Sequence, residues 1–388
     1  MKSTKLACAI ATVIASGYGV AAFAEEVSLY DYEQATSAYE DAYINAQFNL
    51  QNGNQAQTSY DLDLNLDYEK VFTSADQNTK LDFVGETSRS RGPNVDDATI
   101  SHYQASGAIT NDNYFQPNSN GAFWYGKGEI GAQKGMDDLY TKATVGIGYG
   151  RVVNATPMAK AIRLVEALVE RRLITEYPSK ATYQAVANVI AREDEYVSKY
   201  GRDEYELTWL EDIEAALGSS LGVKGAIKSY DVLTNERIST RKHGWLVRAG
   251  VGAVLSDYDG SSSKPALEVG AEYHHPLSNK TQFSNESVFT AVLDDNDDSY
   301  RFANTMSLTY EVSDRVDWEN AWLLDYVDYE TSNDITTNAL SSTYRYYISN
   351  ALSFAVTAQL TSLEDNIDNN GNDKLDKSLV MGLTYRMK

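Results

Sequence analysis

Polar, mostly acidic side chains recur at every second residue along one stretch of the chain: Asp61, Asp63, Asn65, Asp67 and Glu69 in YDLDLNLDYE, residues 60–69. A spacing of two places side chains on one face of an extended strand. Such a row can hold solvated cations or, where two acids share a proton, perform acid–base chemistry. The second role calls for a partner such as histidine. The four histidines, His102, His243, His274 and His275, are not set beside the acids by the sequence. His274 and His275 are adjacent, so on a strand they point to opposite faces, which excludes a metal shared between the two. No metal, cofactor or catalytic residue is assigned, and no enzymatic activity is expected. A third group, Gly146, Gly148 and Gly150 in YTKATVGIGYGR, looks superficially like a phosphate-cradling loop. It lacks the G-x-G-x-x-G form and no βαβ repeat follows, so these glycines are read as one face of a strand.

The elements that must position these residues are strands. In residues 60–69 Tyr60, Leu62, Leu64, Leu66 and Tyr68 alternate with the acids, and residues 378–388 and GWLVRAGVGAVL repeat the pattern. About fourteen such runs follow one another: 42–51, 58–72, 79–89, 100–111, 122–134, 139–152, 243–256, 264–275, 280–293, 299–312, 315–329, 337–349, 351–363 and 375–387. Each is near the roughly 9–11 residues that a tilted strand needs to cross a bilayer. Many of the 28 tyrosines fall toward run ends, where interfacial girdles form. Connections alternate between tight turns (PLSNK, VSDR, YISN) and longer acidic loops (SDYDGSSSK, ETSNDITT, EDNIDNNGND). That asymmetry predicts short periplasmic turns, long outer loops and both termini on the periplasmic side.

Residues 153–238 break the alternation. Thr156 caps a helix that has Pro157 at its first position and an apolar face of Met158, Ala161, Ile162, Val165, Leu168 and Val169. A second helix follows Ser179 and closes at Gly201, and a third covers about 203–217 and ends at Gly218. The insert joins the sixth and seventh strands. At the amino terminus, Lys2 and Lys5, an apolar stretch and Ala22-Phe23-Ala24 read as a secretory leader over 1–24, with 25–41 as a periplasmic segment. Cys8, the single cysteine, lies in the leader. The leader also removes two lysines, moving the formal charge from −22 to −24. So acidic a protein repels nucleic acid. A mean hydropathy of −0.42 fits a membrane barrel as well as a soluble protein, because barrel strands alternate.

With leader, alternating strands and acidic outer loops in place, the chain resembles the porin-like outer-membrane β-barrels of Gram-negative bacteria. The resemblance implies an all-β transmembrane barrel of about 14 antiparallel strands (range 12–16), with strands 1–6 in 42–152, the helical insert in 153–238 and strands 7–14 in 239–388. It further implies the outer membrane as address, with lipid, lipopolysaccharide and the barrel-insertion machinery as partners. The machinery usually reads a terminal aromatic, whereas this sequence ends LTYRMK, leaving Tyr385 and Met387 for that role.

Strand parity turns Asp61, Asp63, Asp67, Glu69, Asp82, Glu86, Glu129, Glu268, Glu272, Asp317, Glu319 and Asp325 into the lumen, against Lys80, Lys127, Arg248 and Arg386. The lumen is therefore expected to be acidic and to favour cations. The acids invite comparison with outer-membrane aspartyl-type proteases, but they run along a whole strand without a histidine. Parity also places Gly146, Gly148 and Gly150 of the sixth strand and Gly250 and Gly252 of the seventh inward, as a bare sector against which the helices would pack as a plug. The alternative is that the glycines relieve crowding in a curved strand while the helices hang in the periplasm. The expected function is a gated or plugged transport pore, either a diffusion channel or an exporter of a polymer such as an exopolysaccharide. The rival is a structural protein docking a periplasmic partner through residues 155–238. NIDNNGNDKLDK mimics a calcium loop at Asn366, Asp368, Asn370 and Gly371, but has Lys377 where a bidentate Glu belongs.

Overall fold

A computed structural model of the chain describes residues 27–33, 36–293, 298–329, 333–367 and 374–387. The leader reading and the loop positions Asp368, Asn370 and Gly371 lie outside the described residues. Fourteen strands form one closed barrel in which each pairs antiparallel with its neighbours in sequence. They are β1 (Ser37–Gln51), β2 (Ser59–Thr73), β3 (Gln77–Arg91), β4 (Ile100–Tyr114), β5 (Ala122–Gln133), β6 (Tyr140–Asn154) and β7 (Lys242–Ser256). The second half comprises β8 (Lys264–Ser278), β9 (Thr281–Val292), β10 (Ser299–Ser313), β11 (Val316–Tyr329), β12 (Ile335–Tyr347), β13 (Leu352–Glu364) and β14 (Asp376–Arg386). Closure runs from Tyr43 opposite Arg386 to Ala46 opposite Leu383.

Alternation decides the two faces. On β6 Val145, Ile147 and Tyr149 are turned out and exposed, as are Val247, Val251 and Leu255 on β7, and the same holds around the wall. A continuous apolar exterior of this extent does not suit water. The outer face is not wholly apolar: Asn304 accepts hydrogen bonds from Asn285 Nδ2 at 2.8 Å and Ser287 Oγ at 2.7 Å, so these outward polar groups satisfy one another. The predicted runs match the strands within a few residues. The largest shift is at β1, which begins at Ser37 instead of 42, because residues 37–41 continue the pairing with Thr73 to Glu69 of β2.

The chain between β6 and β7 forms α1 (Thr156–Glu170), α2 (Lys180–Ala191), α3 (Glu193–Tyr200), α4 (Tyr205–Leu217) and α5 (Gly222–Tyr230), ending in a π turn over Asp231–Asn235. Thr156 is the first residue of α1 and not its cap, which is Ala155 and has no capping side chain; the Thr156 amide donates instead to Asn154 Oδ1 at 3.0 Å. Ser179 caps α2 through the Thr182 amide, and Gly218, at φ 72°, ends α4 in a left-handed conformation. The expected second helix is two, broken at Arg192, and α5 was not foreseen. The apolar faces do need each other: Met158, Leu164, Val165 and Leu168 of α1, Val186 and Ile190 of α2, and Trp209 and Ile213 of α4 form one buried cluster. Leu29 and Tyr32 of the amino-terminal segment join it, pinning that segment to the helices. No helix among the described residues is long and apolar enough to cross a membrane.

Candidate functional site: the lumen and its helical mouth

One half of the lumen is cross-linked. On β5, Phe123 and Tyr125 turn inward and are buried, and they lie where side chains of the β6 and β7 glycines would be. A Cβ on Gly148 would sit 2.2 Å from Phe123 Cζ, one on Gly146 2.5 Å from Tyr125 Cε1, and one on Gly250 2.4 Å from Tyr125 Oη. Because these strands are bare, charged side chains also reach across them. Glu268 on β8 spans β7 to meet Lys142 of β6 at 2.6 Å and Lys127 of β5 at 3.1 Å, and Glu129 meets the same two lysines at 3.0 Å each. Arg248 on β7 crosses to Asp112 on β4 at 2.7 Å and pairs with Glu272 on β8 at 2.6 Å. Each buried charge is thus paired and hydrogen-bonded.

The face of β2 from Asp61 to Asp67 is different. Asp61, Asp63 and Asp67 on β2 have no basic side chain at ion-pair distance among the described residues; Asp67 accepts only from Asn45 Nδ2 at 3.4 Å. Glu86 on β3 accepts from Gln104 Nε2 at 2.6 Å. A cavity of about 980 Å³ opens among Glu129, Lys142, Asp257, Tyr258 and Arg301. Another, of about 330 Å³, lies between Arg237 and the β11–β2 wall, lined by Tyr43, Asp67, Glu319, Arg345 and Arg386 among others.

The end of the barrel that carries the insert is crossed by a strap, residues 236–241, and by α1. Arg237 donates to Tyr43 Oη at 2.8 Å on β1, and Ser239 Oγ donates to Asp317 at 2.7 Å on β11. Glu311, at the end of β10 and 1% exposed, is the centre of the attachment. It takes Arg163 of α1 at 2.6 Å, Arg241 of the strap at 2.7 Å and the Ser239 amide at 2.9 Å. Arg241 is fully buried and also donates to the carbonyls of Ser239, Thr240 and Asn279. Lys160 of α1 faces the same mouth. Burial pushes its ammonium below the ordinary lysine range, Glu193 opposes this, and Arg386 and Arg237 reinforce it.

The expected acids fall into two sets. Glu69 (Lys80 at 3.1 Å), Glu129, Glu268, Glu272, Glu319 (Arg345 at 3.2 Å) and Asp325 (Arg301 at 2.9 Å) are paired, and Asp317 is held by Ser239 and Tyr347. To the inward bases expected, Lys80, Lys127, Arg248 and Arg386, the structure adds Lys142, Arg301 and Arg345, so more of the acids are neutralised than expected; strand parity already turns these three inward. The expected plug contacts are corrected. Gly146, Gly148 and Gly250 meet Tyr125 and Phe123, whereas Gly150 and Gly252 lie against backbone of the adjoining strand. Gly150 has φ 105°, which only glycine adopts at little cost, and a Cβ there would be 2.3 Å from the Trp245 carbonyl. The glycines serve ring packing and strand curvature, and the helices close the mouth instead of filling the wall. Sequence reasoning missed Glu311, Arg241, Asp112, Phe123 and Tyr125, whose roles arise from partners on distant strands.

A family model described as a protein of unknown function, DUF481, matches residues 235–339, from the strap to the first residues of β12. No curated protein matches. Among solved structures the chain is similar to a loop L8 deletion mutant of OmpT, an outer membrane protein of Vibrio cholerae, at 8% identity over 90% of this chain and 99% of that one, with TM-score 0.34. It is similar also to the beta domain of the Bordetella autotransporter BrkA, at 6% identity over 91% and 99%, TM-score 0.31. A bacterial polysaccharide outer membrane secretin matches at 6% identity over 91% and 98%, TM-score 0.30.

Proposed function

We propose that this chain is a transport barrel of a Gram-negative outer membrane, shut at its periplasmic mouth by the strap and α1, and that it passes small solutes, cations preferentially, when that cap moves. The supporting observation is the attachment at Glu311. A buried carboxylate clamps two arginines of the insert to the barrel rim, and beyond it the lumen is lined on one side by Asp61, Asp63 and Asp67. A closure held to the rim by ion pairs and hydrogen bonds can open as a unit, whereas one built into the wall could not. The cation preference rests on the unpaired Asp61, Asp63 and Asp67. With the cap in place the cavities, about 330 and 980 Å³, suit a small hydrated solute better than an extended polymer.

A second reading has its own support. Leu207, Val223 and Ile227 on α4 and α5 are 69%, 78% and 64% exposed, a surface suited to a periplasmic protein, with a lumen that never conducts. Planar-bilayer recordings on the intact protein, and on one with residues 155–238 replaced by a short turn, separate the two. Conductance that appears or rises sharply on deletion supports the gated pore. Silence from both refutes it in favour of the docking protein.

A further inference from the structure

We infer that the inner wall holds a site for a divalent transition-metal ion, built by Glu272 and His274 on β8 and Glu286 on β9. In the pairing of these strands Glu272 lies directly opposite Glu286, and His274 opposite Ser284. Two glutamates in cross-strand register on one face repel unless a cation lies between them. Arg248 answers only part of this: it takes Glu272 Oε1 at 2.6 Å and leaves Oε2 facing His274 Nε2 at 3.7 Å. Glu286 Oε1 lies 3.8 Å from the same nitrogen. Of the nearby ammonium groups, Lys80 is engaged at 3.1 Å by Glu69 and by Asp82, and Lys242 lies 3.9 Å from Glu69.

His274 points to a ligand independently of the acids. The residue is 2% exposed, its Nδ1 is fixed by Ser284 Oγ at 2.9 Å, and its buried Nε2 has no hydrogen-bond partner. An imidazole held through one nitrogen, with the other bare and aimed at two carboxylate oxygens, has the arrangement of a metal ligand with its orienting contact. The three donor atoms lie within 4.8 Å of one another. Ligands about 2.0–2.2 Å from a tetrahedral zinc are separated by about 3.4 Å, so small rotations of the glutamates complete the set and leave a position for water. One imidazole with carboxylates suits zinc or cobalt over calcium or magnesium. Glu286, at 48% side-chain exposure, gives access from the lumen. His274 and His275 do not share the ion, since His275 turns outward and bonds Tyr30. The site stands whether or not the barrel conducts.

The test uses the full chain, folded in detergent without a histidine tag and stripped with chelator. It is titrated with Zn²⁺ by calorimetry and with Co²⁺ by visible absorption. One Zn²⁺ per chain is expected, with binding lost in His274→Gln, weakened at least tenfold in Glu286→Gln and unchanged in His275→Gln. The inference is overturned if the unsubstituted protein binds no Zn²⁺ saturably. It is overturned equally if His274→Gln and Glu286→Gln bind normally, or if His275→Gln loses binding to the same degree. Should His274→Gln fail to fold, Glu286→Gln decides, because its side chain is half exposed and its loss leaves the wall packed.

Discussion

Replacing Glu311 by glutamine removes one charge and almost no volume at the point where the insert grips the barrel. Arg241 is then left at 0% exposure with only carbonyl acceptors, and Arg163 keeps only Asp314 at 3.1 Å and Glu236 at 3.6 Å. Removing one partner of a buried ion pair costs about 3–5 kcal/mol. The three carbonyls that still receive Arg241 argue for the lower end, about 3 kcal/mol. At about 1.4 kcal/mol per factor of ten, the ratio of open to closed cap should rise roughly a hundredfold. The barrel itself should keep its stability, since no strand pairing is touched. Single-channel open probability in planar bilayers is one readout, and the rate of proteolysis between α1 and α2 is another. Arg163→Gln alone should give a smaller change, and combined with Glu311→Gln it should add less than its separate effect, because both act on one cluster. Open probability and proteolysis both at the level of the unsubstituted protein would refute the reasoning. Melting of the whole barrel in step with the cap would refute it too, by showing that the attachment is structural.

Three further outcomes follow from the same contacts. Gly148→Val should destabilise the barrel by about 1–3 kcal/mol or more in urea unfolding, because the new Cβ meets Phe123 Cζ at 2.2 Å and the Val247 carbonyl at 2.6 Å; Gly126→Ala, with nothing within 4 Å, should be near neutral. Lys160→Met should raise the melting temperature of the helical domain. Because the lysine's folded pKa is depressed, the gain should be full below that value and fade as pH rises through the ordinary lysine range; a gain independent of pH would contradict this. Joint replacement of Asp61, Asp63 and Asp67 by asparagine should lower the cation-to-anion permeability ratio of the capless pore with little effect on stability. Glu268→Gln, which leaves buried Lys142 short of a partner, should instead mainly lower stability.

Much of this molecule is fixed locally. A strand with one face in lipid and one in a wet lumen must alternate apolar and polar residues. Tyr60 to Glu69 and Trp245 to Leu255 therefore declare their strands, their faces and, through turn length, the end of the barrel to which the insert belongs. Helix ends are local in the same sense: Ser179 and Gly218 bond or bend their own neighbours, and both are where the pattern puts them. What Gly148 or Glu268 does is not local. Whether a bare strand faces a helix, a ring or empty space depends on which side chains from β5 and β8 reach across it, and these lie more than a dozen residues away along the chain. The acids likewise look alike in sequence, yet Glu268 is buried between two lysines while Asp61 and Asp63 face open lumen, because the pairing of β5 to β8 brings Lys127 and Lys142 to Glu268 and no basic side chain of the described residues to ion-pair distance of Asp61 or Asp63. Parity assigns a side chain to a face; only the closed ring and the packing of its mouth decide what stands opposite, and so which acids are structure and which remain for a solute or an ion.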